Sequence, residues 1–438
     1  MSKKIISVAL ALVLALGIFA TGASAALKYD DAGFFREGMA RVKLGDKWGF
    51  IDMNGAEIVP PKYDEADNFY GGMAGVLLNG KLGYIDKTGK EIVPLKYDEA
   101  YRFSEDGLAA VYLDGKGGYV DKTGAEVLPP KYDKAYDFYE GMAAVMLGDK
   151  WGFVDVSGKE VVPPKYDEVY RFSEDGLAAV YLDGKGGYVD KTGAEAVPPK
   201  YDRAYDFREG MAMVQLNSKF GCIDKAFIEV VPPRYDEAYD FSDGLAVVML
   251  GGKWGYIDKR GAEALPLKYD RTYNFREGMA PVVLNGKTGF ADRAFNEAAP
   301  PKYDKVYDFN EGFAPVALDG KWGFIDVSGK EAVPLKYDEA GNFSEGMAIV
   351  KLNGKFGFID KAAKEAAPLK YDEVYDFNEG MAPVALGGKW GYIGETGKEA
   401  VPPKYDEVYN FTEGMARVML GGKWGFIDKA GREIAPQN

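Results

Sequence analysis

Gly422-Lys423-Trp424-Gly425-Phe426-Ile427-Asp428 is the stretch on which the fold turns, because the same seven-residue phrase returns along the chain as far back as Asp46–Asp52. It sits in a unit that opens with a basic residue and Tyr-Asp and closes with Glu-x-x-Pro. The opening Tyr falls at positions 29, 63, 97, 132, 166, 201, 235, 269, 303, 337, 371 and 405, with nine spacings of 34 and two of 35. A fixed period over nearly the whole chain is the mark of a repeat array, so 438 residues read as one quasi-one-dimensional unit and not as several domains.

Within the last copy, Met415 to Leu420 alternates fixed and variable columns. Ala416, Val418 and Leu420 are Ala, Val and Leu in every repeat, while the residues between them range over Arg, Gly, Met, Pro, Ile, Lys, Tyr and Gln. This period of two predicts a strand with one specified face. Gly421-Gly422 follows, and Asn79-Gly80, Asp114-Gly115 and Asn353-Gly354 fill the same slot elsewhere. Residues that tolerate positive φ between two apolar runs predict a tight hairpin, with Leu420 opposite Lys423, Val418 opposite Gly425 and Arg417 opposite Phe426. The Gly after Trp424 is glycine in all copies and predicts close approach of a neighbouring backbone or ring. A second turn follows Asp428, then a short third strand at Glu433-Ile434-Ala435. Phe227, Phe295 and Ala363 replace the Gly of that second turn, which predicts irregular turns there. The segment from Lys404 to Gly414 returns the chain as an extended connector or short fourth strand, its rings sealing the joint to the next copy.

Both faces of the hairpin carry apolar columns, and one unit of 34 residues has too few large side chains to offset the entropy of its own ordering. Each copy therefore needs a neighbour on both sides. The fold class that follows is all-β: a tandem array of twelve β-hairpin/meander repeats, expected as an open, solenoid-like β-superhelix. A closed β-propeller-like toroid is the alternative, disfavoured because the units are thin for blades and twelve is a large number of them.

Met1–Ala25 combines Lys3 and Lys4, an apolar run from Ile5 to Ala20 and a small-residue ending, which predicts a secretory signal cleaved before Ala26. Residues 26–438 are then the single array, secreted or extracytoplasmic (periplasm or cell surface), with no membrane span after signal cleavage. Net charge is −14, and the leader carries two lysines and no acid, so the remainder stands at −16. An acidic surface without a basic run argues against nucleic acid and anionic membranes. There is no histidine, and the one cysteine, Cys222, occupies a column that is Phe or Tyr in the other eleven repeats. It reads as a small buried hydrophobe, not a reactive thiol.

These columns resemble the WG-repeat family of bacteria, whose units carry Gly-Lys-Trp-Gly-(Tyr/Phe)-Ile-Asp, a Gly turn and a Pro. The resemblance covers residues 28–436, with Gly252–Asp258 a close match; Leu82, Gly117, Gly186, Phe220, Thr288 and Phe356 depart from it at the Trp slot. It implies β-rich repeats and a binding or scaffolding role, without an activity.

The candidate ligand or packing aromatics are Trp48, Trp151, Trp254, Trp322, Trp390 and Trp424. They would serve either as stacking platforms for sugar rings or, the reading preferred, as packing between repeats. Three acidic columns could offer oxygen ligands to Ca²⁺, but their spacing matches no calcium loop and fixed Lys columns supply counter-charges. Turn capping and ion pairs are preferred, and no cofactor is expected. No catalytic residue is assigned: a site usually interrupts a repeat pattern, whereas these carboxylates constitute it. The expected function is a non-enzymatic binding or scaffold surface for a protein or glycan of the cell envelope, acting through variable columns such as Arg417 and Met419. A carbohydrate- or cell-wall-binding module using the tryptophans is the runner-up, and a glycoside hydrolase a remote third.

Overall fold

A computed structural model describes residues 27–434; the expected leader, Met1–Ala25, lies outside the described residues. The first repeat folds as β1 (Asp31–Ala32), β2 (Met39–Leu44), β3 (Lys47–Asp52) and β4 (Glu57–Tyr63). They form one antiparallel meander in the order β1-β2-β3-β4, and the pattern recurs in the next ten repeats. The hairpin register expected from the last copy is the one formed: Leu420 pairs with Lys423, Val418 with Gly425 and Arg417 with Phe426. Its tight turn is made by residues at positive φ, as at Asn79 (54°) and Gly80 (76°), which matches the right-handed twist of the flanking strands.

The fourth strand bulges against the third, with register shifts on both sides of Phe50. The bulge is why the Gly after Trp is fixed. A Cβ on Gly49 would lie 2.3 Å from the Val59 carbonyl oxygen and 2.6 Å from Pro61 N, and the same clash recurs at Gly83, Gly255 and Gly391. The close neighbour is backbone, not a ring. Pro60 and Pro61 in that strand remove amide donors from the sheet edge and so discourage pairing with another chain.

Each sheet is a blade packed face to face on the next. Phe50, Val59 and Tyr63 of the first blade share a cluster with Ala66, Phe69, Val76 and Ile85 of the second. Phe50 meets Phe69 edge-on, ring centroids 4.9 Å apart, and pairs such as Tyr84–Phe103, Phe153–Phe172 and Tyr392–Phe411 repeat that contact around the array. The rings of the connector do seal the joints.

The array closes. The last sheet has three continuous strands, Glu407–Val408, Met415–Leu420 and Lys423–Asp428. Its fourth is assembled from both ends of the described chain: Glu433 bridges Ile427, and Tyr29 bridges Trp424. Tyr29, Ala32 and Phe35 pack with Phe426 across this seam as in any other interface, with Phe35 and Phe426 at 4.8 Å. The expectation of an open superhelix is thereby corrected to its alternative, a ring of twelve blades. The reason is the two-sided apolar blade itself: an open array leaves one bare face at each end, and closure buries both.

The second turns are also more uniform than their sequences suggest. Phe227, Phe295 and Ala363 hold φ near 60° and keep the same turn hydrogen bond as the glycine copies, as in Phe227 N–H to Asp224 O (2.8 Å) and Gly89 N–H to Asp86 O (2.9 Å). The strain of a left-handed phenylalanine is offset by contacts of Phe227 with Phe207 and of Phe295 with Phe275 and Tyr256.

Candidate binding surface on the inner wall

Side chains following the first strands of blades eleven, twelve, one and two (Tyr375, Tyr409, Phe34 and Asn68) border one cavity. Those from blades four to eight border another, which includes Tyr139 and Asn274. Groups from so many successive blades converge only at the inner rim, so the two-residue first strands line the centre of the ring and the proline-bearing fourth strands its outside.

The three acidic columns are engaged in holding this ring. Asp64, after Tyr63, takes Lys47 of its own blade on one oxygen and the amide of Asn79, in the hairpin turn of the next blade, on the other at 2.7 Å. The clasp repeats to the seam, where Asp30 takes Lys423 (2.5 Å) and Gly45 N–H (2.7 Å). The lysine hydrogen bond and the turn amide hold Asp30 and Asp64 below their ordinary pKa. Asp86 accepts from the amides of Thr88 and Lys90 and caps the second turn. Glu126 accepts from Lys96 and from the Tyr97 hydroxyl of the preceding blade, both at 2.8 Å. Among the described residues no cluster of His, Cys, Asp or Glu is placed to hold a metal ion.

Of the variable columns, the one at Arg417 is not the free surface expected of it. Arg417 is 13% exposed; its guanidinium lies 4.1 Å from the Tyr409 ring, 4.2 Å from Trp424 and 5.1 Å from Phe34, and it donates to the Ala32 carbonyl across the seam. Its counterparts Ala110, Met213 and Val247 are buried. This column faces the neighbouring blade, and it varies because each interface reaches its own fit.

What faces the lumen is a column the sequence reading passed over, the fourth residue after the Tyr of Tyr-Asp. It is Tyr at 101, 136, 170, 205, 239, 273, 307, 375 and 409, and Gly33, Asp67 and Gly341 in the other blades. Seven of these tyrosines rank among the exposed large side chains, from 42% at Tyr273 to 54% at Tyr375. The available signal was that this aromatic column is frequent without being invariant, so the fold does not need it.

The six tryptophans stand behind this column, each half-buried at the edge of an interface cluster. Trp322 stacks on Tyr307 (5.1 Å, 14°), Trp390 on Tyr375 (5.3 Å, 15°) and Trp254 on Tyr239 (5.8 Å, 25°). Trp151 and Trp424 tilt against Tyr136 and Tyr409, and Trp48, whose blade has Gly33 in place of Tyr, lies under the Arg41 guanidinium at 4.7 Å. The tryptophans therefore belong to the interfaces, while the tyrosines they support present the open faces. Desolvation by the crowded inner wall raises the pKa of Asp137 and Asp376, which keep exposed side chains, and of the half-buried Asp206 and Asp240, the last paired with Arg208 at 3.2 Å. Cys222 sits in the sixth blade's interface, where burial pushes its thiol up to about 11.

A family profile described as WG containing repeat matches twelve consecutive stretches, from residues 25–48 to 390–424. No curated protein sequence matches the chain. Among solved structures, similarity extends to a eukaryotic initiation factor at 12% identity, covering 68% of this chain and 93% of that one, with a TM-score of 0.34. The extracellular domain of a hybrid two-component system from B. thetaiotaomicron matches at 9% identity over 90% of this chain and 69% of that one, TM-score 0.23. PorZ, a surface component of the type-IX secretion system of Porphyromonas gingivalis, matches at 12% identity over 85% and 58%, TM-score 0.23.

Proposed function

The chain belongs to the WG containing repeat family, and from that premise and the ring's geometry we propose that it is an exported, non-enzymatic binding or scaffold ring for a protein or glycan partner of the cell envelope. One observation carries this reading: a column of half-exposed tyrosines on the inner wall that the fold can do without, since Gly33, Asp67 and Gly341 replace it. Large aromatics held rigid and half in water are the side chains that contribute most at recognition surfaces. The reading as a non-enzyme is supported by carboxylate columns engaged in clasps, caps and ion pairs around the ring, and by a sequence without histidine. Export is supported by Met1–Ala25, and no helix among the described residues is long and apolar enough to cross a membrane.

The carbohydrate reading gains from the near-parallel backing of Tyr307 by Trp322 and of Tyr375 by Trp390, which fixes the tyrosine faces at little further entropic cost. The test compares the chain from Ala26 onward with a variant carrying Tyr136→Ser, Tyr239→Ser, Tyr307→Ser and Tyr375→Ser. Both are applied to purified cell-wall polymer and to solubilised envelope protein. The variant should melt as the parent does and lose retention. Retention at parental levels by the variant would end the inner-wall assignment.

A further inference from the structure

An inner-wall cavity of about 650 Å³ straddles the seam where the first and last blades meet. We propose that it is a subsite for an uncharged pyranose oligosaccharide, and that its occupation holds the closed ring together. The proposal rests on the inner-wall reading above and names its ligand class.

Three features distinguish this place from the rest of the wall. A ring contact joins the lumen columns of neighbouring blades here: Phe34 meets Tyr409 edge-on at 5.4 Å, and Tyr375, backed by Trp390, borders the same cavity. Phe34 occupies a column that is Arg, Asp or Asn in every other blade, and it is 37% exposed. Polar groups border the same rings: Asn410, Glu407 and Asn68, whose Oδ1 is buried without a hydrogen-bond partner. Arg36 and Glu407 bring opposite charges to the rim, so the cavity has no net preference for an ion. Flat aromatic faces edged by amide and carboxylate groups match a pyranose ring, which has apolar C–H faces and a girdle of hydroxyls. The volume lies within the range of small-molecule sites.

The coupling follows from where the site is. Its walls come from blades eleven and twelve and from blades one and two, so it exists only while the seam is shut. A ligand that binds the shut form alone stabilises it.

The test uses the chain from Ala26 onward with cellohexaose, chitohexaose, maltohexaose and mannohexaose, each titrated to millimolar concentration by calorimetry. At least one should bind. Tyr375→Ser and Asn410→Ala should each weaken it about tenfold or more, Tyr375→Phe should retain binding, and Ile228→Ser, at an exposed turn residue of the sixth blade outside the inner-wall column, should leave it unchanged. Saturating oligosaccharide should slow hydrogen exchange of the Tyr29 and Trp424 amides, which bond across the seam. Equal weakening by Ile228→Ser, or unchanged exchange at the seam, overturns the subsite. No binding by any of the four sugars also overturns it, and continued capture of envelope protein would then leave the broader inner-wall reading standing.

Discussion

Tyr29 and Trp424, at opposite ends of the chain, exchange both backbone hydrogen bonds: Tyr29 N–H to Trp424 O at 3.2 Å and Trp424 N–H to Tyr29 O at 2.9 Å. Trp48 and Tyr63 hold the same register inside the first blade, so the seam repeats an ordinary blade contact made by residues 395 apart in sequence, with the chain break falling in the outer strand.

Tyr29 is 1% exposed, and Tyr29→Ala should cost about 3–5 kcal/mol, the range for removing a large aromatic from a core. Because the loss falls at the seam, hydrogen exchange should accelerate in the first and last blades before the middle ones. Uniform acceleration around the ring would count against a seam that opens locally.

Two glycines should respond in opposite directions. Gly255→Ala drives a Cβ to 2.4 Å from the Leu265 carbonyl and should lower stability by about 1–3 kcal/mol as the outer strand shifts. Gly394 replaces the Asp that caps the second turn elsewhere and has open space around it. Gly394→Asp should gain about 0.5–1 kcal/mol from hydrogen bonds like those of Asp86. Thermal melts of the two variants check both signs.

Cys222 pairs directly with Met213 across the hairpin, and both are buried. The long side chain fills what the missing ring leaves. Cys222→Phe alone should overpack the site and cost about 1–3 kcal/mol, and Met213→Ala combined with it should recover most of that. Additive losses in the double-mutant cycle would refute the compensation. The native thiol, with its pKa raised and no solvent access, should resist alkylation until the ring unfolds.

The clasps set the acid limit. Asp30, Asp64, Asp98 and their counterparts are held below the ordinary value of 3.8 by the lysine and the turn amide. A carboxylate depressed in the folded state stabilises at pH above its unfolded pKa, and that contribution disappears as pH falls through the folded value. Asp137 and Asp376, raised by desolvation on the inner wall, act in the opposite sense and relieve the ring on protonation, but the clasps outnumber them. The melting temperature should therefore hold from neutrality to about pH 4 and fall below it. A melting temperature flat from pH 5 to pH 3 would show that the clasps contribute nothing.

The sequence by itself determined the repeat, the strands, the hairpin register and the need of every blade for two neighbours, because each is written in local spacing: Ala416, Val418 and Leu420 alternating, Gly421-Gly422 turning, a glycine fixed after the Trp slot in every copy. It also separated Cys222 from the reactive thiols. It did not determine that the array closes, because closure depends on the small rotation between successive blades summed over twelve interfaces, and no single repeat encodes that sum. Nor did it distinguish the packed variable column at Arg417 from the open one at Tyr375. Variability looks the same in sequence whether a side chain meets its own interface or the lumen. Only the direction in which a blade faces, fixed when its neighbours are in place, tells them apart.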